Sequence, residues 1–294
     1  MQNICSKKKT GQANYLTGYI KPEYISSCYT CGGCNTVCPV NTGTGGLYPM
    51  KLVHMANMGL IDELLSMPDI WYCLNCGRCS NLCPMMVRSS DLFQNLKAEA
   101  VSRKIVRSDM PEQHRKILKG FVSALWHAAR ILLDGKSVNV IEQWEELTKM
   151  QVSSDDQPVK LPINIEENVL FLQMVKEYGI NKTSLNSCFT CRECSGSCPI
   201  CMDPEIFDPL RIVRSCNLAL KEKLLTSPDI WLCIDCRSCT LTCSQGVKVS
   251  LLIRQLQYLA YTEGYVSKEF LLKWMQLKEE MYAQYIHQVD KLLC

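Results

Sequence analysis

This sequence predicts an all-α fold built twice over, and three observations carry that expectation. The 294-residue chain matches itself at an offset of 160 residues. No segment alternates apolar and polar residues as a half-buried strand would, and the segments between the repeated motifs space their apolar residues for helices.

The repeat is anchored by four cysteine runs, which begin at Cys28, Cys73, Cys188 and Cys233. Cys28, Cys31, Cys34, Cys38 and Pro39 fall on Cys188, Cys191, Cys194, Cys198 and Pro199. Pro68-Asp69-Ile70-Trp71 falls on Pro228-Asp229-Ile230-Trp231, and Cys73, Cys76, Cys79 and Cys83 fall on Cys233, Cys236, Cys239 and Cys243. Beyond the last cysteine, Leu92, Leu96 and Ala100 lie over Leu252, Leu256 and Ala260 at helical spacing.

Between paired runs, Pro49 and Pro209 stand where a helix would start. Residues 61–66 and 220–226 read as second short helices, ended before Pro68 and Pro228. Residues 111–134 read as an amphipathic helix with Ile117, Phe121, Leu125, Ala128 and Leu132 on one side, and residues 141–150 as another. The polar, proline-containing run 151–162 is the expected linker, followed by a helix over 165–178. The tail, 267–294, aligns Phe270, Trp274, Leu277, Met281 and Tyr285 for packing on its own unit or, alternatively, on a partner. The expected organisation is a first unit over 1–110, a helical connector and linker over 111–162, and a second unit with a C-terminal helix over 163–294.

Composition narrows the chemistry. The apoprotein charge of +3 is weak, and no basic surface for nucleic acid is implied. Twenty cysteines in a small secreted chain would suggest disulfides, but residues 1–9 hold no apolar run like a signal peptide. The longest apolar stretch, 121–133, is too short to span a bilayer and contains His127 and Arg130. The expected setting is a reducing, cytoplasmic one, with the cysteines serving as metal ligands.

Each run has the spacing C-x2-C-x2-C-x3-C, the bacterial ferredoxin pattern in which the fourth Cys serves the neighbouring 4Fe-4S cluster. That crossed arrangement assigns one cluster to Cys28, Cys31, Cys34 and Cys83 and a second to Cys73, Cys76, Cys79 and Cys38. The second unit repeats it with Cys188, Cys191, Cys194 and Cys243, then Cys233, Cys236, Cys239 and Cys198, for four clusters in all. Zinc also takes all-cysteine sites, usually from two separated C-x2-C pairs, and a third Cys in phase fits a cubane better. Gly32, Gly33, Gly77 and Gly196, with nearby Ser and Thr, are expected to let the loops curl and aim N–H groups at sulfur. Four cysteines are left over: Cys216 is expected to be a small buried residue, Cys201 is an alternative ligand, and Cys5 and Cys294 carry no assignment. Trp71 and Trp231 are expected to pack over a cluster. There is no Gly-rich dinucleotide loop, no nucleophile-base arrangement and no adjacent Cys-Cys pair, so no catalytic residue is assigned.

Each half resembles the C-type subunit of heterodisulfide reductase, a helical ferredoxin subunit with two 4Fe-4S clusters. The resemblance rests on the paired cysteine runs, the spacer Pro209-Leu210-Arg211-Ile212-Val213 and the Pro-Asp-Ile-Trp lead, and covers roughly 20–105 and 180–265. It implies an electron relay in a multi-subunit complex, between a flavin-containing A-like subunit and a catalytic B-like subunit with CCG motifs. An iron–sulfur scaffold presenting the helices at 117–132 and 270–285 to a partner is the alternative. Because Gly32-Gly33 becomes Arg192-Glu193, the two units are expected to differ in potential.

Overall fold

A computed structural model describes residues 25–150, 165–177 and 185–294. Among these residues there are helices and turns and no strand. The expected linker at 151–162 and Cys5 lie outside the described residues. The chain divides into two compact units, Met1–His114 with Val289–Cys294, and Arg115–Gln288.

In the first unit the short helices α1 (Gly33–Val37) and α2 (Pro39–Thr44) follow the first cysteine run. Then come α3 (Pro49–Asn57), α4 (Ile61–Ser66), the single turn α5 (Asp69–Tyr72), α6 (Arg78–Asn81) and the long α7 (Ser89–Ser102). Pro39 and Pro49 sit at the first helical position, where proline removes an N–H that has no intrahelical partner. Helices α3, α4, α5 and α6 all pack on α7, and α1 packs on α6. Leu52, Leu64, Ile70, Leu92, Phe93, Leu96 and Ala100 form the buried centre. Val289–Cys294 joins this unit, where the Tyr72 hydroxyl donates to Asp290 Oδ1 at 2.5 Å.

The second unit contains most of α8 (Met110–Leu133), then α9 (Val140–Lys149), α10 (Ile165–Glu177), α11 (Glu193–Gly196), α12 (Pro209–Asn217), α13 (Lys221–Leu225), α14 (Ser238–Thr242), α15 (Val249–Thr262) and, as far as Gln288, α16 (Lys268–Leu293). Helices α12, α13 and α14 pack on α15, and α11 packs on α14, as in the first unit. Single contacts repeat as well. Asn57 Nδ2 donates to Ile25 O at 2.9 Å and Asn217 Nδ2 to Leu185 O at 3.3 Å. Ser90 N donates to Ser80 Oγ at 2.9 Å, and Ser250 N to Thr240 Oγ1 at 3.0 Å.

The repeat fails in one place. Pro39–Thr44 forms α2, whereas 199–204 forms only turns. Pro204 is the reason: in a helix its ring would collide with the carbonyl of residue 200, and it offers no N–H.

Helices α8 and α16 turn their apolar sides inward. Phe121, Leu125 and Ala128 on α8, and Phe270, Trp274, Leu277, Met281 and Tyr285 on α16, are buried, while Ile117 and Leu132 are half-buried. The Phe121 ring meets those of Tyr282 and Tyr285, each at 5.3 Å, and Trp231 meets Phe270 edge-on at 4.9 Å. These faces are thus covered within the unit rather than held out for a partner. Asp229 joins the repeat to α8, accepting from Trp126 Nε1 at 2.9 Å and from Arg211 Nη2 at 2.8 Å. No helix among the described residues is long and apolar enough to cross a membrane.

Candidate metal centres

The four cysteine runs share one backbone conformation. The residues on either side of the second Cys are left-handed in every run: Thr30 and Gly32, Asn75 and Gly77, Thr190 and Arg192, Asp235 and Arg237. Each φ lies between 53° and 76°. A chain that alternates hands in this way turns successive N–H groups toward one concave side, which suits a negatively charged guest. One such group, Asn75 N–H, donates to Cys73 Sγ at 3.4 Å. Gly33 and Gly196 behave differently from expectation. They lie inside the helical turns α1 and α11 without positive φ, so their lack of a side chain is not what lets the loops curl. In the second unit Arg192 and Arg237 hold the left-handed position that Gly32 and Gly77 hold in the first.

In the first unit the loops enclose two cavities. One is lined by Cys28, Cys31, Cys34 and Cys83, with Met50, Val53, Leu82 and Val87 among its walls. The other is lined by Cys38, Cys73, Cys76 and Cys79, with Pro39, Val40, Leu47 and Phe93. Among the described residues no three His, Cys, Asp or Glu side chains lie close enough to share a single metal ion. Four thiols line each cavity, a donor set with the chemistry to hold an iron–sulfur cubane. Trp71 lines neither cavity; it packs edge-on against His114 at 5.7 Å.

The thiols affect one another's acidity, which shows who neighbours whom. Burial, then Cys73 and Cys34, push Cys38 up to about 11, against the pull of backbone N–H groups. Burial, then Cys73, Cys76 and Cys38, push Cys79 well above the usual thiol range, and Cys34 adds to this from the other cavity. Burial and Cys28 raise Cys34. In the second unit burial, then Cys236 and Cys233, raise Cys198, and burial with Cys236 pushes Cys239 up to about 12. Burial raises Cys194, with Cys188 contributing. Cys233 rises to about 12 through burial, then Cys239, Cys236 and Asp235. Bare, crowded, buried thiols thus resist ionisation, and thiolates persist there only if strong positive charge is supplied, as ligated iron supplies it. Cys83 and Cys243 are half-buried at the ends of their runs, and Cys31 and Cys191 are exposed.

Cys201 is half-buried and held at about 11 by burial and by Asp208, with Arg192 and Arg211 opposing. Asp208 caps α12 by accepting from Leu210 N at 2.9 Å, and it accepts from Ser195 Oγ at 2.5 Å. Cys216 is fully buried and Cys294 is exposed.

Two residues went unassigned by sequence reasoning. Lys97 is buried on α7, with its Nζ donating to Cys73 O at 2.9 Å. Burial lowers its pKa to about 8, against an opposing pull from Cys73, so it is an ammonium at pH 7. His114 is buried with Nε2 2.7 Å from Trp71 O, and burial together with Lys97 brings its pKa down to about 3. The signal for Lys97 was present, since it falls on the stripe of Phe93, Leu96 and Ala100.

The described residues form helices and turns and no strand, and residues 27–88 match the family model of the 4Fe-4S dicluster domain. About a third of the chain is similar to C-type subunits of heterodisulfide reductases. It is 29% identical over 110 residues to the C-type subunit of the H(2):CoB-CoM heterodisulfide,ferredoxin reductase of Methanothermobacter marburgensis, covering 35% of this chain and 58% of that protein. It is 32% identical over 85 residues to the C-type iron-sulfur subunit of the CoB--CoM heterodisulfide reductase of Methanopyrus kandleri, covering 29% and 44%. It is 38% identical over 113 residues to a protein of Archaeoglobus profundus described as like the C-type subunit of heterodisulfide reductase, covering 37% and 59%. The chain thus spans between 44% and 59% of the length of these relatives. No solved structure matches it.

Proposed function

We propose that this chain is an electron-transfer subunit of a heterodisulfide reductase-like complex. It would relay single electrons through four 4Fe-4S clusters between a flavin-containing A-like subunit and a CCG-motif B-like subunit. The observation that carries the reading is the exchange of fourth cysteines: Cys83 lines the cavity of Cys28, Cys31 and Cys34, while Cys38 lines that of Cys73, Cys76 and Cys79. Pairing of this kind serves a wire, and isolated structural clusters have no need of it.

A 4Fe-4S cluster held by each set of four cysteines would supply one-electron redox chemistry. The protein's part is to hold and shield. In each unit the third cysteines of the two runs feel each other, Cys34 with Cys79 and Cys194 with Cys239, so the two ligand sets lie side by side. Apolar walls such as Met50, Val53, Leu47 and Phe93 keep water from the cavities. The exposed Cys31 and Cys191 mark the edge of each unit where an electron enters or leaves with least protein in between.

The test is anaerobic reconstitution of the full chain, with iron, sulfide and EPR measured together. About sixteen irons and equal sulfide, with spin-coupled pairs on reduction, support the relay. Iron near eight removes one unit from it, and a colourless or zinc-loaded protein overturns it.

A further inference from the structure

The second ligand set of each unit has a different charge behind it. In the first unit Lys97, 7% exposed, lies one turn past Phe93, which lines the cavity of Cys38, Cys73, Cys76 and Cys79. Its Nζ reaches Cys73 O at 2.9 Å and Asn75 Oδ1 at 3.5 Å, and sits 5.6 Å from the centre of the Trp71 ring. Among the described residues no carboxylate pairs with it. A buried cation without an anion is costly unless a negative group offsets it. What stands in front of it is the carbonyl of Cys73, on the loop that lines the thiol cavity.

The second unit is built otherwise at the same two positions. Residue 257 is Gln, whose Nε2 donates to Ile230 O at 2.6 Å, and residue 235 is Asp where the first unit has Asn75. Asp235 is mostly buried and faces the half-exposed Arg254 at 3.6 Å. From the first unit to the second, a positive charge beside the ligand loop is lost and a negative one appears within it.

We infer that Lys97 is a positioning charge that makes the cluster on Cys38, Cys73, Cys76 and Cys79 more easily reduced than its repeat counterpart. Gln257 and Asp235 leave its counterpart on Cys198, Cys233, Cys236 and Cys239 harder to reduce. This rests on the ligand assignment above. Cluster potential follows local charge, and a buried ammonium is poorly screened, so it favours the extra electron.

The experiment is a potentiometric EPR titration of the reconstituted full chain, with iron counted in every sample. In the native chain the signal abolished by Cys198→Ala should appear on reduction only after the one that Cys38→Ala abolishes. Lys97→Gln should lower the midpoint of that signal alone, with iron content unchanged, and Lys97→Arg should preserve it. A Lys97→Gln chain with full iron and an unchanged order of reduction overturns the inference and leaves the ligand assignment standing. If Lys97→Gln costs the first unit its iron, Gln257→Lys decides in the other unit. A raised midpoint of the signal lost in Cys198→Ala supports the inference, and an unmoved one overturns it. A native chain without iron overturns both.

Discussion

Replacing Cys83 by alanine removes a thiol that comes from a different loop than the three it faces, so its effect reports on how the two loops are shared. The cavity walls place Cys83 with Cys28, Cys31 and Cys34, and Cys38 with Cys73, Cys76 and Cys79. With four irons per cubane, Cys83→Ala should lower the reconstituted chain from about sixteen irons to about twelve. The informative step is the double variant. Cys28→Ala with Cys83→Ala strikes one site twice and should stay near about twelve irons, whereas Cys38→Ala with Cys83→Ala strikes two sites and should fall to about eight. Iron and sulfide assays read the count, and EPR shows which signal is gone. The reasoning is refuted if Cys73→Ala with Cys83→Ala stays near twelve while the Cys28 and Cys83 pair drops to eight, because Cys83 would then serve the other loop.

Two further outcomes concern stability. Gly32→Ala places a Cβ at φ +76° with no atom within 4 Å, so its cost is conformational alone, about 1–2 kcal/mol. Arg237→Gly at φ +64° relieves the same strain, offset by the greater freedom of glycine in the unfolded chain, for a net gain below about 1 kcal/mol. Urea midpoints of the anaerobic holoprotein measure both, and a neutral Gly32→Ala would contradict the strain argument. His114 gives a pH dependence. Its folded pKa of about 3 lies below the unfolded value near 6.5, so between these limits the unfolded chain binds the extra proton and stability rises with pH. Acidifying from pH 7.5 to 5.5 should cost the first unit about 1.4 kcal/mol that a His114→Gln variant does not lose, with the loss beginning near 6.5. Equal losses in both proteins would show that His114 is not the group responsible.

Much of this architecture is legible in the chain because proline and cysteine act locally. Pro49 and Pro209 open helices where their fixed φ is useful, and the thiol spacing dictates a loop that no ordinary helix or strand supplies. The left-handed residues were less legible. Gly32 and Gly77 announce themselves, but Thr190, Arg192, Asp235 and Arg237 take the same conformation with side chains that ordinarily avoid it, held there by the surrounding ligand loop. The missing counterpart of α2 turns on one residue, Pro204, which the cysteine alignment passes over. Lys97 falls on the apolar stripe of α7, but its type masks that signal, since a lysine on a helix is ordinarily taken for a solvated side chain.

The borrowed fourth cysteine also bears on how this protein is made. As the chain leaves the ribosome, Cys28, Cys31 and Cys34 emerge early with one corner of their box missing, and Cys38 waits beside them for three companions not yet translated. The compartment of Cys38 is complete once Cys79 has appeared and that of Cys28 only with Cys83, so metal loaded sooner would meet an open cup. The cysteines recur in the same order from Cys188 to Cys243, so each half of the chain would be filled in a separate step.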